Sequence, residues 1–297
     1  MSPQAPSTSL ALYSLTAGSA ASQVISRYST SFSLAASLLG RDDRAGIRSI
    51  YALVRIADEI VDGTAQEAGL RPAERREALD ALEEETLYAL RSGFSANLVA
   101  HAFAMTGRAA GIEASLVEAF FGSMRRDLEP VHSLSEEQYR RYVHGSAEVV
   151  GLMCLRVFLQ GHTVHQDRRS QLESGAARLG AAFQKINFLR DLGEDAHQLG
   201  RAYFPGAVPG ELSEARKIEI LADIDADLVE ARRAVAMLPQ GPRRATALAA
   251  GLFEELAARL RRVSVAEIHR TRVSVPRRVK ARILLTALAS APPGAAR

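Results

Sequence analysis

Asp58-Glu59-Ile60-Val61-Asp62 and Asp191-Leu192-Gly193-Glu194-Asp195 each set two aspartates four residues apart. Both segments have helical periodicity, and residues i and i+4 of a helix share a face, about 6 Å apart along the axis. Carboxylates so placed repel one another, so helix stability alone does not select them. A divalent cation would neutralise them. Oxygen-only donors suit Mg²⁺, which keeps several waters and is often completed by substrate phosphate. The constraint on the fold follows: two helices must face each other, and two facing pairs make a site for a diphosphate held through metal ions.

Helical period dominates the rest of the chain, and no strand-like alternation is sustained between turn signals. The pattern predicts helices at roughly 20–36, 43–63, 73–91, 94–107, 112–127, 135–159, 168–197, 213–238, 242–264 and 276–290. Gly40-Arg41-Asp42-Asp43 offers an N-cap after a helix end. Ser135-Glu136-Glu137-Gln138 has the form of a capping box. Residues 200–210, with Pro205 and Pro209, read as a loop. No linker, composition shift or internal repeat divides the 297 residues. The expected architecture is therefore one all-α domain over 1–297, loose at about 1–15 and 290–297.

The helix bearing the first pair carries two parallel stripes. Ile47, Ile50, Val54, Ala57 and Val61 step by three and four and form an apolar packing face. One position round, Arg48, Tyr51, Arg55, Asp58 and Asp62 repeat the same steps. That second stripe reads either as a solvated face with an Arg55–Asp58 ion pair or as a site wall. The pattern near residue 191 favours the wall. There Gln184, Asn187, Asp191 and Glu194/Asp195 share a stripe, while Phe183, Ile186 and Phe188 supply packing. Asn187 adds a neutral oxygen ligand or diphosphate contact, and Arg190 flanks it. Gly193 in mid-helix costs about 1 kcal/mol relative to Ala; close approach of substrate or another helix would explain it. Between the two helices, Tyr142, Ser146, Val149 and Met153 form a mostly apolar stripe with Gly145, Ala147 and Gly151 beside it. Such small residues either make room for a long apolar ligand or let helices pack closely.

Composition narrows the function classes. Hydrophobic residues are 47% and charged residues 24%, as in globular chains, and the formal charge is only +3. Lys185, Lys217 and Lys280 are the lysines among 37 basic residues; the rest are arginines, the side chain suited to bidentate phosphate contacts. No basic run is interleaved with aromatics, so nucleic-acid binding is not expected. The lone Cys154 excludes an internal disulfide and reads as a buried small hydrophobe, which points to the cytoplasm. No signal-peptide pattern and no apolar run of about 18 residues is present, so any membrane contact is expected to be peripheral.

Three segments together are specific. Tyr28-Ser29-Thr30-Ser31-Phe32-Ser33, the run Tyr51 to Gly63, and the run Gln184 to Asp195 resemble the squalene and phytoene synthase family in order and spacing. Arg201-Ala202-Tyr203-Phe204-Pro205 resembles that family's Arg-x-Tyr-x-Pro element. The resemblance extends over about residues 20 to 285, and the wording of the first motif is most similar to bacterial phytoene synthases.

The resemblance implies a class I isoprenoid synthase fold, a helical bundle around a central cavity. It implies head-to-head joining of two prenyl diphosphates with Mg²⁺, or Mn²⁺ in its place. By position, Asp58, Asp62, Asp191 and Asp195 correspond to metal-binding aspartates, with Asn187 and Gln184 in support. Arg55, Arg190 and Arg201 correspond to diphosphate contacts; Ser29, Ser31 and Phe32 to the entrance; Tyr51 and Tyr142 to groups at the reacting carbons. Tyr203, Arg272 and Lys280 correspond to further substrate-side positions. His144, Glu148 and Phe253 depart from relatives and put the pocket wall there in question. The implied reaction is phytoene formation from two geranylgeranyl diphosphates without NADPH. A C15 enzyme making presqualene diphosphate, squalene or dehydrosqualene is the alternative, and a catalytically silent helical assembly protein is the reading from another class. Expected partners are the prenyl diphosphates, the inner membrane face at product release, and a prenyl diphosphate synthase or phytoene desaturase.

Overall fold

The computed structural model of the protein describes residues 8–129, 134–194, 203–206 and 211–289. These residues are mostly helical, with no strand among them. Asp195 and Arg201 lie outside the described residues.

The first half comprises α1 (Ser9–Tyr28), α2 (Thr30–Ser37), α3 (Arg41–Val61), α4 (Thr64–Glu67), α5 (Pro72–Ser92), α6 (Leu98–Ala110) and α7 (Ala114–Asp127). Next come α8 (Glu136–Val143), a π-helical turn (His144–Glu148), α9 (Val149–Phe158), α10 (Gln166–Arg190) and α11 (Leu192–Glu194). The chain closes with α12 (Glu214–Met237), α13 (Gln240–Arg262), α14 (Val265–Arg270) and α15 (Arg277–Ala289).

Two apolar cores flank the site. One gathers side chains of α1, α3, α5, α6, α7 and α9, among them Ile50, Leu53, Phe103, Phe120 and Met153. The other gathers α8, α10, α12 and α13 around Ile186, Leu189, Ile224 and Leu260. The long α10 lies along α12, and a buried ion pair clamps them: Lys185 Nζ donates to Asp227 Oδ2 at 2.6 Å, and Arg178 to Asp227 Oδ1 at 3.1 Å. A charge this deep is tolerated only because it is paired.

Four expectations change. The stretch expected to be loose at the start is helical from Ser9, because Ala17, Ala21 and Ile25 give α1 a buried face. The single helix expected over 20–36 breaks at Ser29, whose backbone is extended and whose Oγ accepts the Phe32 N–H at 3.1 Å. Ser side chains compete with helical bonding in this way, and the result is a cap for α2. The helix expected over 135–159 contains the π-turn. The helix expected over 168–197 stops at Arg190, so both Asp191 and Gly193 fall past its end. Gly193 is nonetheless explained: a Cβ there would run into the His269 backbone at the end of α14.

Candidate active site

Between the two cores lies a cavity of about 710 Å³. Ile47, Ile50, Val54 and Tyr51, Arg55, Asp58 all line it, so α3 offers both of its stripes to the space. Ala57 and Val61 turn into the core. Opposite stand Leu172, Ala176, Leu179, Phe183, Gln184, Asn187 and Arg190 of α10. The depth is mostly apolar, with Thr246 among its lining residues. Polar groups gather at one region: Ser29, Thr30 and Ser31 from the start of α2, Arg55 and Asp58, Asn187 and Arg190, and Arg272 and Lys280 from the C-terminal segment.

Helix ends build that polar region. Asp58 lies in the last turn of α3 and lines the cavity; Asp62, the C-cap of α3, and Asp191, the C-cap of α10, stand beside this region and are not among the lining residues. The C-terminus of a helix carries the negative end of its dipole, so carboxylates there are disfavoured. Burial pushes the Asp58 carboxyl well above the usual carboxylate range, and the charges of Asp62, Asp127 and Glu59 push the same way against Arg55. Arg190 Nε donates to Asp191 Oδ1 at 2.8 Å, and Arg272 Nε lies 3.0 Å from the same oxygen. Arg55 Nε donates to Glu59 at 2.7 Å, and its guanidinium sits 4.4 Å from the centre of the Tyr28 ring. The Arg55–Asp58 ion pair considered from sequence is replaced by this Glu59 contact one turn on. Lys280 Nζ donates to Thr30 Oγ1 at 3.1 Å and Ser31 Oγ at 3.2 Å, which ties α15 to the N-terminus of α2.

The donor set fits a hard divalent cation. It is all oxygen, and Asn187 Oδ1 is buried on the cavity wall with no hydrogen-bond partner among the described residues. A buried carbonyl oxygen without a donor is costly unless a ligand satisfies it. Among the described residues no three carboxylates, imidazoles or thiols converge as a ready cluster. The carboxylates stand instead on two separate helix ends, and Asp191 rests on arginines.

Two residues expected at the substrate stand behind the wall. Tyr142 and Tyr203 are not among the cavity-lining side chains. Tyr142 is buried and donates to Asp127 at 2.8 Å, Tyr203 donates to Asp127 at 3.3 Å, and their rings stack 5.1 Å apart. Phe188 stacks on Tyr203 at 4.2 Å. The π-turn is the reason. Its extra residue rotates α8 against α9, so the Tyr142–Ser146–Val149–Met153 stripe does not run along one face. After the turn the cavity face is Ser146, Ala147, Val150, Gly151, Cys154 and Phe158, while Val149 and Met153 are buried in the α3-side core.

The glycines beside that stripe serve close packing. A Cβ on Gly145 would strike the Ala119 carbonyl and Ser123 of α7, and one on Gly151 the Ala176 carbonyl of α10. Cys154 lines the cavity rather than a closed core, and burial pushes its thiol up to about 12, which leaves it unreactive. His144 and Glu148 do not line the cavity; Nδ1 lies 2.9 Å from Glu148 Oε2 on the outside of the π-turn.

One member of the aromatic wall went unrecognised in sequence, and so did the grouping of the four. Phe32, Tyr51, Phe183 and Phe253 all line the cavity, with Phe32 5.9 Å from Tyr51 and 5.6 Å from Phe253, and Phe183 stacked on Phe253 at 3.9 Å. Phe183 reads locally as a packing residue, and only its place opposite Phe253 of α13 marks it as wall.

The family model for squalene/phytoene synthase matches residues 25–279. A 15-cis-phytoene synthase of a Paracoccus species is 27% identical over 277 residues, covering 88% of each chain. A phytoene synthase of Thermus thermophilus is 29% identical over 191 residues, covering 62% of this chain and 57% of that protein. The match to phytoene synthase 3 of Zea mays is 28% identical and covers 71% of this chain but 45% of the plant protein. Against several of these relatives the chain thus spans about half of their length. In fold, a ligand-bound dehydrosqualene synthase superposes with a TM-score of 0.75 at 20% identity, covering 94% of this chain and 98% of that one. The squalene synthase HpnC of Alicyclobacillus acidocaldarius gives 0.70 at 21% identity, covering 84% and 95%. With its isoprenoid synthase fold and its paired aspartate motifs, the chain belongs to the squalene/phytoene synthase family of head-to-head prenyltransferases.

Proposed function

We propose that the protein joins two molecules of geranylgeranyl diphosphate head to head, through prephytoene diphosphate, to phytoene with release of diphosphate. The observation that carries the reading is a deep, mostly apolar cavity whose charged groups gather in one region, where two helix ends bear carboxylates beside four cationic side chains. The names of the sequence relatives support the C20 substrate.

In this reading Asp58, Asp62, Asn187 and Asp191, with Asp195 of the same motif, hold Mg²⁺ or Mn²⁺, which supplies charge neutralisation of the leaving diphosphate. Arg55, Arg190, Arg272 and Lys280, with Arg201, bind its oxygens through charge-assisted hydrogen bonds. Ser29 and Ser31 sit at the N-terminus of α2, where the helix dipole favours an anion. Gln184 lies along the same wall of α10. The prenyl tails take the apolar depth, which keeps water from the allylic cation. The faces of Phe32, Tyr51, Phe183 and Phe253 attract passing positive charge, each by roughly 0.5–2 kcal/mol. Proton loss ends the reaction, so NADPH has no part in it.

The test is product identification after incubation with C20 or C15 diphosphate and Mg²⁺, with and without NADPH. A C40 hydrocarbon with a central triene from the C20 substrate alone is the expected product. Preference for the C15 substrate, or a hydrocarbon that forms only with NADPH, refutes the reading and assigns a squalene-type reaction.

A further inference from the structure

Ser146 carries a second unsatisfied oxygen. Its side chain is 8% exposed, it lines the cavity, and its Oγ has no hydrogen-bond partner among the described residues. A helical serine ordinarily returns its hydroxyl to the carbonyl four residues back. Here that carbonyl, of Tyr142, accepts the Ser123 hydroxyl at 3.3 Å, and the π-turn moves Ser146 off the ordinary helical path.

The turn is held from both sides. Gly145 lets it press against Ala119 and Ser123 of α7, and Gly180 lets α10 press against the Ala147 carbonyl. Ser146 lies between these two contacts, so its hydroxyl faces the cavity from a fixed backbone. Its level along the cavity follows from helix direction. Gly46, near the start of α3, meets Val157, near the end of α9. At the other end of α3, Asp58 is close enough to Asp127 to feel its charge, and Asp127 is bonded to Tyr142. The helices run in opposite directions, and Ser146, one turn beyond Tyr142, falls toward the Asp58 end of α3; on α10 it is level with Gly180, about two turns before Asn187.

A prenyl tail offers no hydrogen-bond acceptor. The one part of the proposed substrate that does is the diphosphate. We propose that Ser146 is a diphosphate contact, its hydroxyl donating to a phosphate oxygen on the tail side of the polar region. This rests on the prenyl diphosphate reading above.

Calorimetric titration of inorganic diphosphate in the presence of Mg²⁺ tests it without involving tails or turnover. Ser146→Ala should weaken binding about tenfold, the loss expected for a hydrogen bond to a charged acceptor. The isosteric pair Ser146→Thr and Ser146→Val isolates the hydroxyl, and Thr should bind about tenfold tighter than Val. The ligand-free Ala variant should melt no lower than the parent, since an orphaned oxygen has been removed. Equal affinity of Ala and parent, together with equal affinity of Thr and Val, overturns the assignment. A matching loss in titrations of Mg²⁺ alone overturns it too, because the hydroxyl would then serve a metal-bound water. If the parent itself does not bind diphosphate with Mg²⁺, the prenyl diphosphate reading is what fails.

Discussion

Asp58→Asn should abolish turnover and yet stabilise the metal-free protein. Asp58 and Asp62 occupy the end of α3, whose last turn holds no basic residue. Removing a carboxylate from that end gains about 0.3–1 kcal/mol against the helix dipole. Relief of the i,i+4 repulsion adds about 0.2–0.5 kcal/mol. Lost attraction to Arg55 subtracts a few tenths, about the worth of a partly exposed pair already shared with Glu59. The net gain is about 0.7 kcal/mol, or roughly 1 °C in Tm for a chain of 297 residues. The pH dependence has a definite sign. Asp58 is raised in the folded state, so the native protein binds the extra proton, and parent stability falls as pH climbs from the ordinary carboxylate range through the folded value. The Asn variant lacks that loss, so its advantage grows with pH. Mg²⁺ and diphosphate should reverse the order. A ligand at ten times its Kd stabilises the parent by about 1.4 kcal/mol, and the variant should gain little. Thermal melts from pH 6 to 8.5, in EDTA and in Mg²⁺ with diphosphate, read both effects beside turnover. A variant that melts below the parent in EDTA, or that gains as much from Mg²⁺ and diphosphate, refutes the reasoning.

Arg55→Ala should raise KM or lower kcat with a Tm change under about 2 °C, because its pair with Glu59 is a local, partly buried i,i+4 contact on one helix; a large Tm loss with unchanged kinetics would make Arg55 structural. Gly193→Ala should cost about 1–3 kcal/mol by chemical denaturation, since the added methyl meets the His269 backbone rather than a movable side chain; parent-like stability would mean the segment after Asp191 can shift. His101 is fully buried, accepts the Ser95 N–H at 3.4 Å and lies 2.9 Å from Ser14 Oγ, and burial lowers its pKa. Its stabilising contribution is therefore present above the ordinary imidazole value and lost as pH falls below it, so His101→Gln should flatten the decline in Tm below pH 6.5; an unchanged decline would assign it to carboxylates. Cys154→Phe should narrow the apolar depth and shift preference from C20 toward C15 diphosphate, and an unchanged C20/C15 ratio would remove this wall from length selection.

All-helical class, the position of most helices and the two aspartate motifs were legible in the chain because each depends on spacing of a few residues. The stripe Tyr51–Arg55–Asp58 does line the cavity, and Asn187, Gln184 and Arg190 do share the facing wall. The breaks were less legible. Ser29 interrupts a continuous apolar pattern through one side-chain hydrogen bond. Asp191 ends a helix that the pattern continues.

What tertiary structure alone decided is which face of a correctly placed helix meets the ligand. The π-turn inserts one residue between Tyr142 and Val149 and turns Tyr142 toward Asp127, a residue fifteen positions away on another helix. Periodicity carries through such a turn without trace, because nothing in the local composition of His144–Glu148 marks a wider turn. The same holds for the roles of the small residues. Gly145 and Gly151 could make room or close it, and the carbonyls of Ala119 and Ala176 against them are what close it. Local spacing determines which side chains share a face; only the packing of α7, α10 and α13 determines what that face looks at, and with it which oxygens are left without a partner.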